Sequence, residues 1–128
     1  MKYLTATIAG LLGALFVFAS VTFFLHLGPQ PPQPAPGSPT ALFMGALLPT
    51  GYFTMIKLFE LVGGVLVAIP PTRRAGLLIL GPIIVNILAF HIFIEQGKDL
   101  GIALILAAVA IFLLWAERRA FAAFLRGG

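Results

Sequence analysis

Residues 51–95 read GYFTMIKLFELVGGVLVAIPPTRRAGLLILGPIIVNILAFHIFIE. Two apolar runs flank a turn that carries two prolines and two arginines. A run of about 20 apolar residues crosses the hydrocarbon core of a bilayer as a helix, and Pro70-Pro71 cannot continue one. The stretch therefore predicts an antiparallel helical hairpin in a membrane, with spans at 50–69 and 75–94.

Working outward, residues 3–27 and 100–115 are two further runs of spanning length. Val17-Phe18-Ala19 resembles a signal-peptidase site, but the apolar run continues past it, so cleavage is not expected. Gln96-Gly97-Lys98-Asp99 is a polar turn in which Asp99 suits the N-cap of the last helix. The expected fold is an all-α membrane protein, a single domain over 1–128 forming a four-helix transmembrane bundle of up-down topology. Composition agrees: the 128 residues are 60% hydrophobic and 9% charged, with a mean hydropathy of +1.08, far from a soluble domain. Four spans leave no room for a separate soluble catalytic domain.

The formal net charge of +4 does not point to nucleic acid, because the basic residues stand singly or in pairs at the ends of apolar segments rather than in one patch. They read as topology signals. Lys2, Arg73, Arg74, Arg118, Arg119 and Arg126 fall on one side and Lys98 on the other, which predicts cytoplasmic N- and C-termini in the inner (plasma) membrane. The chain has no cysteine, which excludes disulfides, thiol chemistry, an iron–sulfur cluster held by this chain and covalent c-type haem.

The first connection, an outer loop over 28–49, opens with GPQPPQPAPGSPT (28–40), six prolines and no charge. It is expected to run as extended polyproline II over roughly 35–40 Å. Residues 41–48 are too short to span and stop at Pro49. They form either an interfacial or re-entrant turn of helix over the outer surface, or a loose linker before an early start of the second span. Small residues at Ala6, Gly10 and Ala14, at Gly63-Gly64 and at Ala103, Ala107 and Ala108 are read as places where helix backbones approach closely. The terminal FAAFLRGG is either a segment on the inner leaflet, held by Phe121, Phe124 and Arg126, or a frayed helix end.

The residues most in need of explanation are Lys57 and Glu60, three apart inside the second span of a chain with only four acids. A charge near the bilayer centre costs about 2.5–3.5 kcal/mol on insertion scales. Counting at 1.5 Å per residue puts Glu60 about 15 Å and Lys57 about 11 Å from the outer end of the helix. Lysine can snorkel part of that distance; Glu60 must be neutral, paired with Lys57 or hydrogen-bonded to Asn86. Counted from the shared turn, Asn86 is level with Glu60, and His91 lies nearer the outer end. Lys57, Glu60, Asn86 and His91 are thus the candidate ligand-binding cluster. The alternative is a buried polar network that fixes helix packing. Pro82 is expected to kink the third span. His26 and His91 formally permit bis-histidine haem ligation, but His26 is better read as an interfacial histidine. No span carries a metal-ligand spacing beyond the His91/Glu95 pair, so no metal and no intrinsic cofactor is expected.

These residues resemble the DoxX family, in which a helix of the form K-x-x-E-x-x-G-G leads through a short basic turn to P-x-x-V-N and then F-H. The matching positions are Lys57, Glu60, Gly63 and Gly64, then Pro82, Val85 and Asn86, then Phe90 and His91. Where many members carry a lysine near the outer end of the first helix, this chain has Phe23, and its proline-rich connection is also unlike theirs. The resemblance implies a small four-span membrane protein related to the membrane subunits of thiosulfate:quinone oxidoreductase. From the residue types the expected function is a quinone-interacting subunit of a redox complex, in which Lys57, Glu60 and His91 would hydrogen-bond a quinone head group and relay protons, while a redox partner protein or a bound cofactor supplies electrons. A non-catalytic scaffold or assembly subunit and a small-solute or proton transporter, the latter as a homo-oligomer, are the alternatives.

Overall fold

The computed structural model describes residues 1–29 and 33–127, and among these it is all helical, with no strand. Six α-helices follow in order: α1 (Lys2–Leu25), α2 (Pro39–Thr50), α3 (Tyr52–Ala68), α4 (Arg73–Ala89), α5 (Leu100–Ala116) and α6 (Arg118–Leu125). A 3₁₀ turn (Pro70–Thr72) joins α3 to α4, and a π-helical turn (Phe90–Ile94) extends α4.

Two helical stretches, Lys2–Leu25 and Pro70–Ile94, are long and apolar enough to cross a membrane; the number rises to four if each of two bent pairs counts as one span. The pairs are α2 with α3, bent by 80°, and α5 with α6, bent by 72°. Alone, α3 and α5 have 17 residues each, about 25 Å of helix.

α1 stops at Leu25, two residues short of the expected end. His26 adopts a left-handed conformation (φ 52°), and the Leu27 N–H donates to the Thr22 carbonyl at 3.0 Å, the hydrogen-bond pattern of a Schellman closure. Of the proline-rich stretch, Gln30–Pro32 lie outside the described residues, and the extended run expected to reach 40 gives way earlier. A turn forms at Pro36-Gly37, Ser38 accepts from the Ala41 N–H at 3.2 Å, and Pro39 occupies the first turn of α2. Serine at the cap followed by proline is a strong helix start. Where the sequence predicts loop to residue 49, with a short helix at 41–48, the chain is thus helical over Pro39–Thr50. Pro49 sits in the last turn of α2, and Gly51 (φ 80°) makes the sharp bend that a residue with a Cβ would resist.

α1 packs chiefly against α3, α3 against α4, α4 against α5, and α5 returns to α1. The core is Ala9, Leu12 and Phe16 with Val67, Leu77, Leu80, Ile84, Leu106, Ala110 and Leu113. Glycines set the closest approaches. A Cβ on Gly13 would meet the Gly64 carbonyl and lie 2.8 Å from Ala68 Cβ; one on Gly63 would lie 2.8 Å from Leu80; one on Gly76 would meet the Val67 backbone. The pair Gly63-Gly64 therefore lets α3 sit between α1 and α4, as expected. The stripe Ala6, Gly10 and Ala14 does not pack. A Cβ on Gly10 would meet nothing within 4 Å, Ala14 is exposed, and the buried face of α1 is Thr5, Ala9, Leu12, Gly13, Phe16 and Ser20. In α5, Ala103 is buried and Ala108 is exposed.

Asp99 precedes α5 but makes no capping hydrogen bond, because its backbone is left-handed (φ 55°) rather than extended. Glu117 breaks the final helix, so that α6 leaves α5 at a steep angle instead of continuing it.

Candidate functional site

Two polar clusters lie in the half of the α3–α4 hairpin remote from its turn, and they are separate. In the first, Lys57 Nζ lies 3.4 Å from Glu60 Oε1. Three residues apart on one helix, the two side chains are neighbours by construction. Glu60 is buried, with 5% of its surface exposed, and among the described residues no hydrogen bond other than that from Lys57 reaches it.

Aromatic rings complete this cluster. The Lys57 ammonium lies 5.3 Å from the centroid of Phe53 and 6.0 Å from that of Phe23, and the two rings meet edge to face at 5.3 Å. A ring face attracts a cation, and more strongly where water is excluded. Phe23, from α1, thus contacts the cation of the charged pair. Neither phenylalanine was legible as a site residue, since a chain with 12 phenylalanines offers no reason to single out two.

Asn86 and His91 do not join Lys57 and Glu60. Asn86 is exposed and donates from Nδ2 to the Pro82 carbonyl of its own helix at 2.9 Å. Matching heights along the hairpin leaves the direction around the helix open, and Asn86 turns away. His91 belongs to the second cluster. Its Nδ1 lies 3.0 Å from the Lys98 carbonyl and 3.7 Å from Glu95 Oε1. A carbonyl only accepts, so Nδ1 carries the proton in that contact.

The second cluster ties three elements together. Thr40 Oγ1 of α2 donates to Glu95 Oε2 at 3.3 Å, and Phe43 of α2 packs on Phe90 of the π turn at 5.3 Å between centroids. α2 thereby crosses the end of the hairpin and is fastened at His91–Glu95. The π turn is closed by the Glu95 N–H on the Phe90 carbonyl at 2.9 Å. Such turns shift side chains around a helix relative to α spacing and are frequent at functional sites.

The opposite end of the molecule holds a third polar group, which the sequence showed only as topology signals. Arg73 is buried, 7% exposed, and donates from Nε to the Val67 carbonyl at 3.3 Å. Its Nη1 is 4.0 Å from Glu117 Oε1, while Arg74 Nε approaches Glu117 Oε2 at 2.9 Å. The signal that could have found this group is Glu117 itself, the one acid among five arginines and Lys2 at that end.

Among the described residues no three His, Cys, Asp or Glu side chains come together as metal ligands. Compared with known proteins, the chain is 36% identical over 75 residues to uncharacterized protein YwoB of Bacillus subtilis (strain 168); the match covers 56% of this chain and 48% of that protein. The chain thus spans about half the length of the curated relative it matches. No family model and no solved structure matches it.

Proposed function

We propose that the chain is a DoxX-like integral membrane protein of four spans, with both termini on the cytoplasmic side of the inner membrane, acting as a quinone-interacting subunit of a membrane redox complex. The observation that carries the reading is Lys57 paired with a buried Glu60 and walled by the Phe23 and Phe53 rings. Lys57 is a donor for a carbonyl oxygen, and Glu60 is an acid beside it that can pass a proton. Two aromatic rings offer faces for a flat head group. A quinone takes up two electrons and two protons, and in this reading the electrons come from a partner protein or a bound cofactor. The site is narrower than the quartet of Lys57, Glu60, Asn86 and His91. Asn86 is bonded within its own helix, and His91 serves the cluster under α2.

For the four spans, α3 and α5 are the crossing members of the two bent pairs, with α2 lying along the outer surface and α6 along the inner one. Placing Arg73, Arg74, Arg118 and Arg119 in the cytoplasm follows the positive-inside bias.

A second reading, a scaffold subunit without chemistry of its own, is favoured by the way Lys57 and Glu60 satisfy one another. The deciding experiment is the quinone content of protein purified gently from its native membrane, wild type against Glu60→Gln at equal yield. Near-stoichiometric quinone in the wild type and its loss in the variant supports the quinone reading. No quinone in either supports the scaffold and makes capture of partner proteins the next step.

A further inference from the structure

A groove between α1 and α5 changes character along its length. At the end nearest the α3–α4 turn it is a polar cavity of about 370 Å³ lined by Lys2, Thr5, Arg73, Trp115, Glu117 and Arg118 among others. One helical turn further along α1 there is a second, apolar slot of about 230 Å³, between Ile8, Leu11 and Leu15 on one side and Ile105 and Val109 on the other. From Thr5 to Leu15 is about 15 Å along the helix. Both parts lie between the same two helices.

The polar part carries an excess of positive charge. Three cations, Lys2, Arg73 and Arg118, face one acid, Glu117, whose Oε2 is already engaged by Arg74 at 2.9 Å. Arg73 is the fixed member. Its Nε is held by the Val67 carbonyl, and its buried Nη2 has no hydrogen-bond partner among the described residues. Arg73 lines the cavity and is held in place by its backbone contact, so its charge is fixed beside the space between α1 and α5. Arg118 is held over the Trp115 ring at 4.3 Å and donates to the Trp115 carbonyl at 2.8 Å. Tryptophan is enriched at the head-group level of membranes.

A cationic cavity with an apolar slot one helical turn along the same helix matches one chemical class, a phosphate ester with a hydrocarbon chain attached. We propose that the α1–α5 groove seats one anionic phospholipid, with its phosphate against Arg73, Lys2 and Arg118 and one acyl chain between Ile8, Leu11, Leu15 and Ile105. Basic pockets between spanning helices on the cytoplasmic side are suited to such head groups. The inference shares the membrane placement of the proposed function and none of its quinone chemistry.

The test is native mass spectrometry of the full chain, delipidated in detergent and titrated with phosphatidylglycerol, phosphatidylcholine or inorganic phosphate. One phosphatidylglycerol adduct per chain is expected, retained under activation that strips phosphatidylcholine. Lys2→Gln with Arg118→Gln, both on exposed positions, weakens that adduct roughly 30-fold, the effect of two cations near a charged head group. Leu11→Trp fills the slot and lowers phosphatidylglycerol binding with the thermal midpoint unchanged. Equal retention of both lipids, indifference to the charge change, or displacement of phosphatidylglycerol by millimolar inorganic phosphate overturns the proposal, the last by making this a site for free anions. The Lys2→Gln/Arg118→Gln protein keeps the quinone content of the wild type, so the two readings fail separately.

Discussion

Arg73 Nε lies 3.3 Å from the carbonyl oxygen of Val67, six residues back across the diproline turn. In an α-helix the Val67 carbonyl would accept from residue 71 and the Leu66 carbonyl from residue 70. Both are prolines and neither has an N–H. Arg73 replaces one missing donor, and Thr72 Oγ1 replaces the other at 2.8 Å from the Leu66 carbonyl. The PPTR sequence thus both breaks α3 and supplies the groups that close it.

Arg73 and Arg74 both approach Glu117, and the shorter contact is the weaker one. Arg74 makes the 2.9 Å bridge, but its side chain is 64% exposed, and such pairs contribute about 0–1 kcal/mol. Arg74→Gln is therefore expected to cost under about 1 kcal/mol. Arg73→Gln removes a buried donor from a carbonyl that has no other among the described residues, and is expected to cost about 2–3 kcal/mol. Thr72→Val falls between them, at about 1–2 kcal/mol. Chemical unfolding in a fixed detergent ranks the three, and an equal or larger cost for Arg74→Gln contradicts the assignment.

The glycines divide into two groups with opposite expected signs. Gly76→Ala and Gly13→Ala place a Cβ against backbone of the neighbouring helix, which a side-chain shift cannot relieve. Each is expected to destabilise by about 1–3 kcal/mol or more. Gly10→Ala meets nothing within 4 Å and gains helix propensity, so it is expected to stabilise by up to about 1 kcal/mol. Thermal midpoints of the three variants test this, and a loss in Gly10→Ala would show that α1 packs on the Ala6/Gly10/Ala14 face.

That last distinction marks where the sequence stops being legible. The α3–α4 hairpin could be read from run length and from Pro70-Pro71, whereas Pro49 and the length of 41–48 left a helix and a loose linker both open before it. Which face of α1 turns inward could not, because lipid and protein interior are equally apolar and leave no polar stripe to mark the outside. Heights in the hairpin were countable from the turn, but direction around the helix was not. Height alone makes Asn86 a partner of Glu60, and the π turn at Phe90–Ile94 moves His91 to a cluster of its own. Arg73 reads as a topology signal because nothing in PPTRR says which arginine folds back onto the carbonyls that the prolines leave open.

Lys57 and Glu60 should behave as a unit. Lys57→Met alone leaves Glu60 buried without the one cation that reaches it, and breaking a buried pair from one side costs about 3–5 kcal/mol. Lys57→Met with Glu60→Gln removes both charges and is expected to restore most of that loss. The interaction energy from a double-mutant cycle then exceeds about 1 kcal/mol. Additive effects would mean that the two residues do not act on each other.

The fastening of α2 can be separated from the stability of the rest. α2 has no buried residue, so its position depends on Thr40 to Glu95, on Phe43 against Phe90 and on the bend at Gly51. An exposed helix held by a few contacts opens more readily than the core it rests on. Glu95→Gln with Thr40→Val removes the polar tie and leaves α1, α3, α4 and α5 in contact. Amide hydrogen exchange in detergent is expected to quicken over residues 39–50 by about five- to tenfold, since one hydrogen bond to a charged group contributes about 1.5 kcal/mol or less at a partly exposed site. Residues 60–68 and 76–84 should keep their wild-type rates. Faster exchange spread through α3 and α4 would show that Thr40 and Glu95 support the whole hairpin, and unchanged rates in α2 would assign its position to the Phe43–Phe90 contact and the Gly51 bend alone.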